Sequence, residues 1–507
     1  MMWKWIGVGI YMLALLAIGI AASRRMGDMR DYYAGGKKFG FLAAAFSARA
    51  TGESAWLLLG LTGMGAMLGV QAFWVVVGEV LGVAGCWLLM AGRFKRLTDR
   101  YDAITIPDYL EGRFRDGSKK LRMVSAAALV IFVTIYVSAQ IDATGTAFES
   151  FLGVDYMTGA LVGFAVVMAY IVSGGFVAVV WSDVFQGTLM FLGLVILPIV
   201  GITMIGGVDE MMAGLAAIDP DLTRLSGPGG WSTKRVLEII GLSLIGLGFL
   251  GSPQIFVRLL SLKSDKEIAP GAAVALVWTI VADSGAVVTG MVGRTLLAPA
   301  GFRVEMLGNG GQNVLPLLVE LALPAMLVGL FIAIVLSAIM STVDSLLIVA
   351  SSAAVRDWYQ QVKHPEIPDA DLVGLSRKVT VALALVSLGV AFTVATLVPG
   401  RTVFWFVIFG WSGIAATFCP TIILSLFWSK FTARGAMAAM VVGFVGVPLF
   451  KFGAPALPEI GWAFSALSEL PPAFLLSGLA GMVASLTDPV GQAKLSDIAN
   501  ELDEAAS

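Results

Sequence analysis

Histidine is nearly absent from this chain of 507 residues: His364, in a polar stretch beside Pro365, is its one copy. One imidazole cannot build a metal cluster or a Ser-His pair at membrane depth, so no catalytic or cofactor-binding residue is assigned and an enzyme is not expected. Cysteine is scarce too. Cys86 and Cys419 lie in apolar segments, where buried packing is the expected role rather than a disulfide or metal pair. Charge is thin, at 13% charged against 58% hydrophobic residues with a mean hydropathy of +0.88, which is too apolar for a soluble globule. A net charge of −2 offers no attraction for a nucleic-acid partner.

Long apolar runs are what the chain has in abundance. At roughly 20 residues per crossing they predict an all-α polytopic membrane protein of about thirteen spans, near 5–23, 42–67, 71–93, 122–150, 157–173, 181–206, 234–257, 268–297, 313–352, 376–398, 403–428, 433–451 and 471–487. The 313–352 run exceeds one crossing and should include an outer amphipathic approach before Ala322. The first span follows only Met-Met-Trp-Lys and has no small-residue cleavage site before Arg24, so it reads as a retained helix. Loops after the odd-numbered spans hold 23 Lys and Arg, and the N-terminus with the opposite loops holds 8. Positive charge accumulates on the cytoplasmic side, so the N-terminus is expected outside and the C-terminus inside. The charges between Arg93 and Arg122 read as a solvated face, with Pro107 opening a short interfacial helix. The tail beyond Thr487 is too short to fold as a domain.

The segment Ala45 to Gly60 interrupts one of these spans with Ser47, Arg49, Thr51, Glu53 and Ser54. Ionisable groups at that depth cost several kcal/mol unless they face protein, water or an ion, so function is the default reading and a Gly/Ser packing kink the plainer one. Unwinding at Gly52 would free carbonyls to coordinate a cation. It would also break the i, i+4 geometry of Arg49 and Glu53, leaving that carboxylate free. A second interruption, Gly246-Leu-Gly-Phe-Leu-Gly-Ser-Pro253, lies within span 7. Spans 2 to 6 and 7 to 11 are odd-numbered blocks of opposite orientation, each beginning with a broken helix, which points to a binding site at the midplane. Glu79, Gln140 and Asp142 are further polar groups at depth. Asp183 and Gln186 share a helix face that would line a cytoplasmic vestibule, unless Ser182 or Asp183 caps the helix. Ser337, Ala338, Ser341, Thr342 and Ser345 recur at helical spacing in span 9. Their hydroxyls are hard oxygen ligands of the kind Na⁺ prefers, with small-residue packing as the alternative.

From Asp31 to Gly443 the chain resembles the solute:sodium symporter family, and within it the sodium/proline symporters. The likeness rests on Asp31-Tyr-Tyr-Ala-Gly-Gly, Ser54-Ala-Trp-Leu-Leu-Leu-Gly-Leu, Ile106-Pro-Asp-Tyr-Leu-Glu-Gly-Arg-Phe, Thr134-Ile-Tyr, Gly174-Gly-Phe-Val-Ala-Val-Val-Trp-Ser-Asp-Val-Phe-Gln, the second interruption, Met340-Ser-Thr and Trp428-Ser-Lys-Phe-Thr-Ala-Arg-Gly-Ala. The resemblance implies a leucine-transporter-type 5+5 inverted repeat with extra terminal helices. It divides the chain into 1–40, repeats at 41–206 and 207–428, two added helices within 429–488, and a tail at 489–507. It implies a Na⁺ site of the Ala50, Glu53 and Ala338 carbonyls with the Ser341 and Thr342 hydroxyls. Thr51, Gly52, Ser54, Trp56, Tyr136, Ile245, Phe249 and Ser252 become substrate positions, and Asp183 an inner-cavity aspartate tied to Na⁺ release. Gly52 stands where proline symporters carry Asp, Glu53 adds an acid one place later, and Ile245 and Phe249 replace a Trp and a Tyr. The expected function is Na⁺-coupled symport of a small organic solute, proline or a related amino acid being the first candidate. The alternatives are proton coupling through Glu53 or Asp142, and a transporter-like sensor acting through a separate partner. The expected partners are the solute, Na⁺ and the lipid bilayer of the plasma (inner) membrane, with the chain working as a monomer.

Overall fold

In a bilayer every backbone polar group must be satisfied within the protein, so long apolar runs become helices. The computed structural model describes residues 2–23, 33–227, 229–299 and 304–506, which leaves Asp31 and Tyr32 of the first quoted motif outside the described residues. Among the described residues there are helices and no strand, apart from an isolated bridge between Phe39 and Leu262. Among the described residues nine helices are long and apolar enough to cross a membrane, or eleven when each of two bent pairs counts as one span. Two glycines account for the difference from thirteen. Gly69 (φ +60°) turns the chain inside the helical run Trp56–Arg100, and Gly175 (φ +55°) divides Tyr156–Ile205, leaving Tyr156–Ala169 as a short apolar helix. Both conformations are open to glycine at little cost. The long 313–352 run divides as expected, into Val314–Ala322 and Ala325–Ser352 across Leu323 and Pro324.

The first interruption is milder than the sequence suggests. Phe41–Gly52 stays helical through Gly52 and ends at Glu53 (φ −95°, ψ 13°), whose amide still donates to the Arg49 carbonyl at 2.9 Å. Trp56–Leu61 then continues as a wide π-helical turn into Thr62–Leu68. The second interruption separates Thr233–Leu250 from Pro253–Leu260 by 41°. Pro253 suits the first turn, where its missing N–H has no partner to lose.

Glycine seams bring the helices around the two breaks together. A Cβ on Gly78 would lie 1.8 Å from the Ser243 carbonyl, one on Gly246 1.9 Å from that of Gly78, and one on Gly290 2.0 Å from that of Thr62. Such backbone-to-backbone packing is how membrane helices associate without a hydrophobic driving force.

The segment Arg93 to Arg122 is a solvated face only in part: Asp99, Arg100, Asp102, Arg115 and Lys120 are exposed, but its other charges turn inward. Thr105 and Asp108 form a capping box for Ile106–Phe114, which folds that helix against the bundle. Arg122 meets Asp108 at 2.8 Å and also Glu111 and Asp357, while Arg356 meets Asp108 at 2.6 Å. Burial works against ionisation of Asp108, yet Arg356 and Arg122 hold its carboxyl below the usual range. The acids Asp108 and Glu111 sit within reach of these arginines because the short helix lies under them, so the charges satisfy one another rather than water.

Candidate functional site

The hydroxyls of span 9 meet the first broken helix. Ser341 Oγ donates to the Ala50 carbonyl at 2.9 Å and Thr342 Oγ1 to the Thr51 carbonyl at 3.0 Å, and both lie 3.2 Å from the Ala338 carbonyl. The structure therefore brings Ala50, Ala338, Ser341 and Thr342 together. The carbonyl paired with Thr342 is that of Thr51, two residues before Glu53. A cluster of carbonyl and hydroxyl oxygens without thiol or imidazole suits a hard monovalent cation.

Glu53 differs from expectation. Because only Glu53 itself leaves helical geometry, the i, i+4 spacing survives and its carboxylate pairs with Arg49, both side chains being buried. The Arg49 guanidinium also lies over the rings of Phe249 and Trp278, at 4.7 and 5.5 Å.

Asp183 neither faces water nor caps a helix. It lies well inside its helix and is fully buried, accepting from Ser47 at 2.5 Å, Thr51 at 3.4 Å and Arg258 at 3.1 Å. Ser182 bonds back to the Ala178 and Val179 carbonyls, so it does not cap either. Arg258 further donates to Ser47 at 3.0 Å, to the Gln254 carbonyl at 2.6 Å and to Ser345. Ser345 in turn lies 2.9 Å from Thr51. Both broken helices, span 6 and span 9 thus converge on one ion pair. Gln186 turns elsewhere, donating to the Tyr11 hydroxyl at 2.8 Å.

The expected substrate positions lie around the two breaks. Gln140 takes over hydrogen bonds the interruption releases, accepting from the Ala55 amide at 3.2 Å and donating to Ser54 at 3.1 Å. Trp56 donates to the Gly52 carbonyl at 3.0 Å. Gly52 sits against Phe249, and a Cβ there would come within 2.8 Å of the ring, so a side chain at this position would require the ring to shift. Trp411, assigned no role from sequence, donates to the Ile245 carbonyl at 3.0 Å and packs against Phe249 and Tyr136, centroids 5.1 and 6.4 Å apart. The Tyr136 hydroxyl is buried beside Ser54, and Ser252 lies 3.9 Å from the Cys419 sulfur. Tyr136, Trp56, Ile245 and Phe249 are all at most 3% exposed.

Sequence reasoning missed Asp283. It stands in the otherwise apolar helix Ile268–Leu297, and a lone acid in such a window is the signal that could have found it. Asp142 points away from Gln140, as their spacing required. It accepts from Tyr156 at 2.6 Å and pairs with Arg401, on the wall of a cavity of about 500 Å³ that Glu149, Asn309 and Gln312 also line.

The model of the Sodium:solute symporter family matches residues 32–443. The high-affinity proline transporter PutP of Bacillus subtilis (strain 168) is 35% identical over 93% of this chain and 94% of its own length. The osmoregulated proline transporter OpuE of the same organism is 33% identical over 95% and 94%. The sodium/proline symporter of Escherichia coli (strain K12) is 31% identical over 94% and 91%. Among solved structures, the substrate-bound, outward-open state of a Na⁺-coupled sialic acid symporter superposes with a TM-score of 0.79 at 20% identity, covering 96% of this chain and 97% of that one. That likeness carries the fold, the expected inverted-repeat architecture. With its two broken helices and a match to the family model over residues 32–443, the chain belongs to the sodium:solute symporter family.

Proposed function

We propose that the chain is a Na⁺-coupled symporter that carries a small organic solute of the proline class by alternating access. The observation that carries this reading is the meeting of Ser341 and Thr342 with the Ala50 and Thr51 carbonyls at the first break. A Na⁺ held by the Ala50 and Ala338 carbonyls and the two hydroxyls, with the Thr51 or Glu53 carbonyl completing the set, would favour one arrangement of that break. Solute affinity rises with it by linkage, and Na⁺ affinity rises with solute by the same factor. Thr51, Gly52, Ser54, Trp56, Tyr136, Ile245, Phe249 and Ser252 then enclose the solute. The proline class is supported by the names of the relatives. The Gly52–Phe249 contact argues for a pocket reshaped relative to theirs.

The orientation follows the same reading. Lys37 with Asp99, Arg96 with Asp265 and Arg115 with Asp497 gather the basic loops at one end of the bundle. Positive charge marks the cytoplasmic face, which supports a C-terminus inside and an N-terminus outside; a monomer in the plasma (inner) membrane is part of the same proposal. The inverted repeats are taken as 41–206 and 207–428.

The test is proline uptake into proteoliposomes under imposed Na⁺ or H⁺ gradients. Ser341→Ala with Thr342→Ala should raise the half-saturating Na⁺ concentration about tenfold or more, with folded protein still in the membrane. Unchanged Na⁺ dependence in that double variant would sink the site assignment, and uptake driven by H⁺ alone would replace the coupling ion.

A further inference from the structure

Arg49 and Glu53 offset each other, but two more carboxylates reach the same place from other helices. Ligand oxygens of Glu53, Glu79 and Asp283 all lie within 4.8 Å of one another, and the three side chains are at most 1% exposed. Neither oxygen of Asp283 and not Oε2 of Glu79 has a hydrogen-bond partner. The Tyr136 hydroxyl, 1% exposed and beside Ser54, stands within electrostatic reach of Glu79. The other group bearing on Arg49 is the Cys86 thiol. One guanidinium therefore faces three carboxylates. Unmatched buried charge at membrane depth costs several kcal/mol, and helix packing alone needs no acid at either position.

The placement argues for a ligand. The glycine seam sets Glu79 against the second broken helix, while Asp283 lies between Trp278 and Gly290, which pack on Arg49 and on the Thr62 backbone. The cluster thus sits between the two interruptions. Ser341 and Thr342 engage Ala50 and Thr51, a different face of the Phe41–Gly52 helix from the one carrying Arg49 and Glu53.

We infer that Glu79 and Asp283, beside the Arg49–Glu53 pair, form a second cation site that takes either a Na⁺ ion or the ammonium group of the solute. The inference rests on the symporter reading above and extends it to residues outside the Ser341–Thr342 site.

Two measurements on the purified full-length protein test it, with Glu79→Gln, Asp283→Asn and the charge-keeping Asp283→Glu as variants. The first is equilibrium binding of radiolabelled Na⁺ without solute. The second is the affinity for L-proline against cyclopentanecarboxylate, which lacks the ring nitrogen. If Na⁺ is the ligand, Asp283→Asn binds one Na⁺ fewer per chain, Asp283→Glu restores it, and Ser341→Ala with Thr342→Ala loses a different one. If the ammonium is the ligand, Na⁺ binding is unchanged while proline affinity falls about tenfold or more and cyclopentanecarboxylate binding does not. Folded Glu79→Gln and Asp283→Asn proteins that bind Na⁺ and proline as the parent does overturn the inference. So does a change confined to the pH profile of uptake, because the carboxyls are then neutral acids. Loss of no Na⁺ in the Ser341–Thr342 variant indicts the symporter site instead.

Discussion

Two ion pairs tie the broken-helix core to its surroundings, and they differ in how much water reaches them. Asp183 and Arg258 are both 0% exposed, and Arg258 shares its donors among an acid, two hydroxyls and a carbonyl. Asp142 is 2% exposed and Arg401 16%, and their pair borders the cavity of about 500 Å³. Arg401 also lies 5.4 Å over the Tyr156 ring and donates to the Ala395 carbonyl at 3.2 Å. Removing one partner of a buried pair typically costs 3–5 kcal/mol because the other charge is left unpaired, whereas exposed pairs contribute about 0–1 kcal/mol. The deep pair is thus a lock that must come apart as a unit, and the shallow pair a latch that water can help open. In the proposed orientation the lock faces the cytoplasm and the latch the outside.

Breaking the lock should give the largest effect. Arg258→Gln leaves Asp183 buried without its cation and should destabilise this arrangement by about 3 kcal/mol or more. The readout is thermal unfolding in detergent together with uptake. Asp183→Asn added to Arg258→Gln removes the orphaned charge and should recover much of that stability while leaving turnover slow. If the double variant is no more stable than Arg258→Gln alone, the two residues are not coupled and the lock does not exist.

The latch should be cheaper to break. Arg401→Gln is expected to change unfolding by no more than about 1–2 kcal/mol, between the buried and exposed limits. It should also speed labelling of a cysteine placed at Gln140 by an impermeant reagent added outside. Labelling no faster than in the Gln140→Cys parent would show that the pair does not gate that side.

How far this contrast was legible in the sequence depends on the kind of signal. Spans, the two interruptions and the approach helix ending at Ala322 follow from apolar run length and from Gly and Pro, which act locally. The partners of the charges do not. Asp183 read as water-facing because nothing local reveals that Arg258, 75 residues later, folds back onto it. Glu53 read as free because unwinding was placed at Gly52, yet the helix holds one residue longer and keeps Arg49 in reach. Trp411 lines the core because Gly248 leaves space for its indole, a match between two helices that neither discloses. Asp283 alone carried a local signal that went unread.

A third pair extends the contrast to full exposure. Arg115 meets Asp497 of the tail at 2.6 Å, with side chains 40% and 57% exposed, and Arg100 pairs with Glu504 nearby. The tail also buries Ile498 and Leu502, so its docking does not hang on charge alone. The hydrogen bond from Arg115 holds the Asp497 carboxyl below the usual range. A lowered folded-state pKa means that this contribution is fully present above the ordinary carboxylate value of about 3.9 and is lost as pH falls through the folded value. Tail docking should therefore be indifferent to pH between about 5 and 8 and loosen slightly below about 4. Salt should weaken it at any pH. Hydrogen exchange of the amides in Pro489–Lys494 and Ile498–Glu504 reads this directly. Asp497→Asn should raise exchange there by less than about fivefold, as expected of a solvent-screened pair, and should leave the core helices untouched. A large loss of protection in Asp497→Asn would mean that the exposed pair outweighs the apolar contacts, and the ordering of the three pairs by burial would fail.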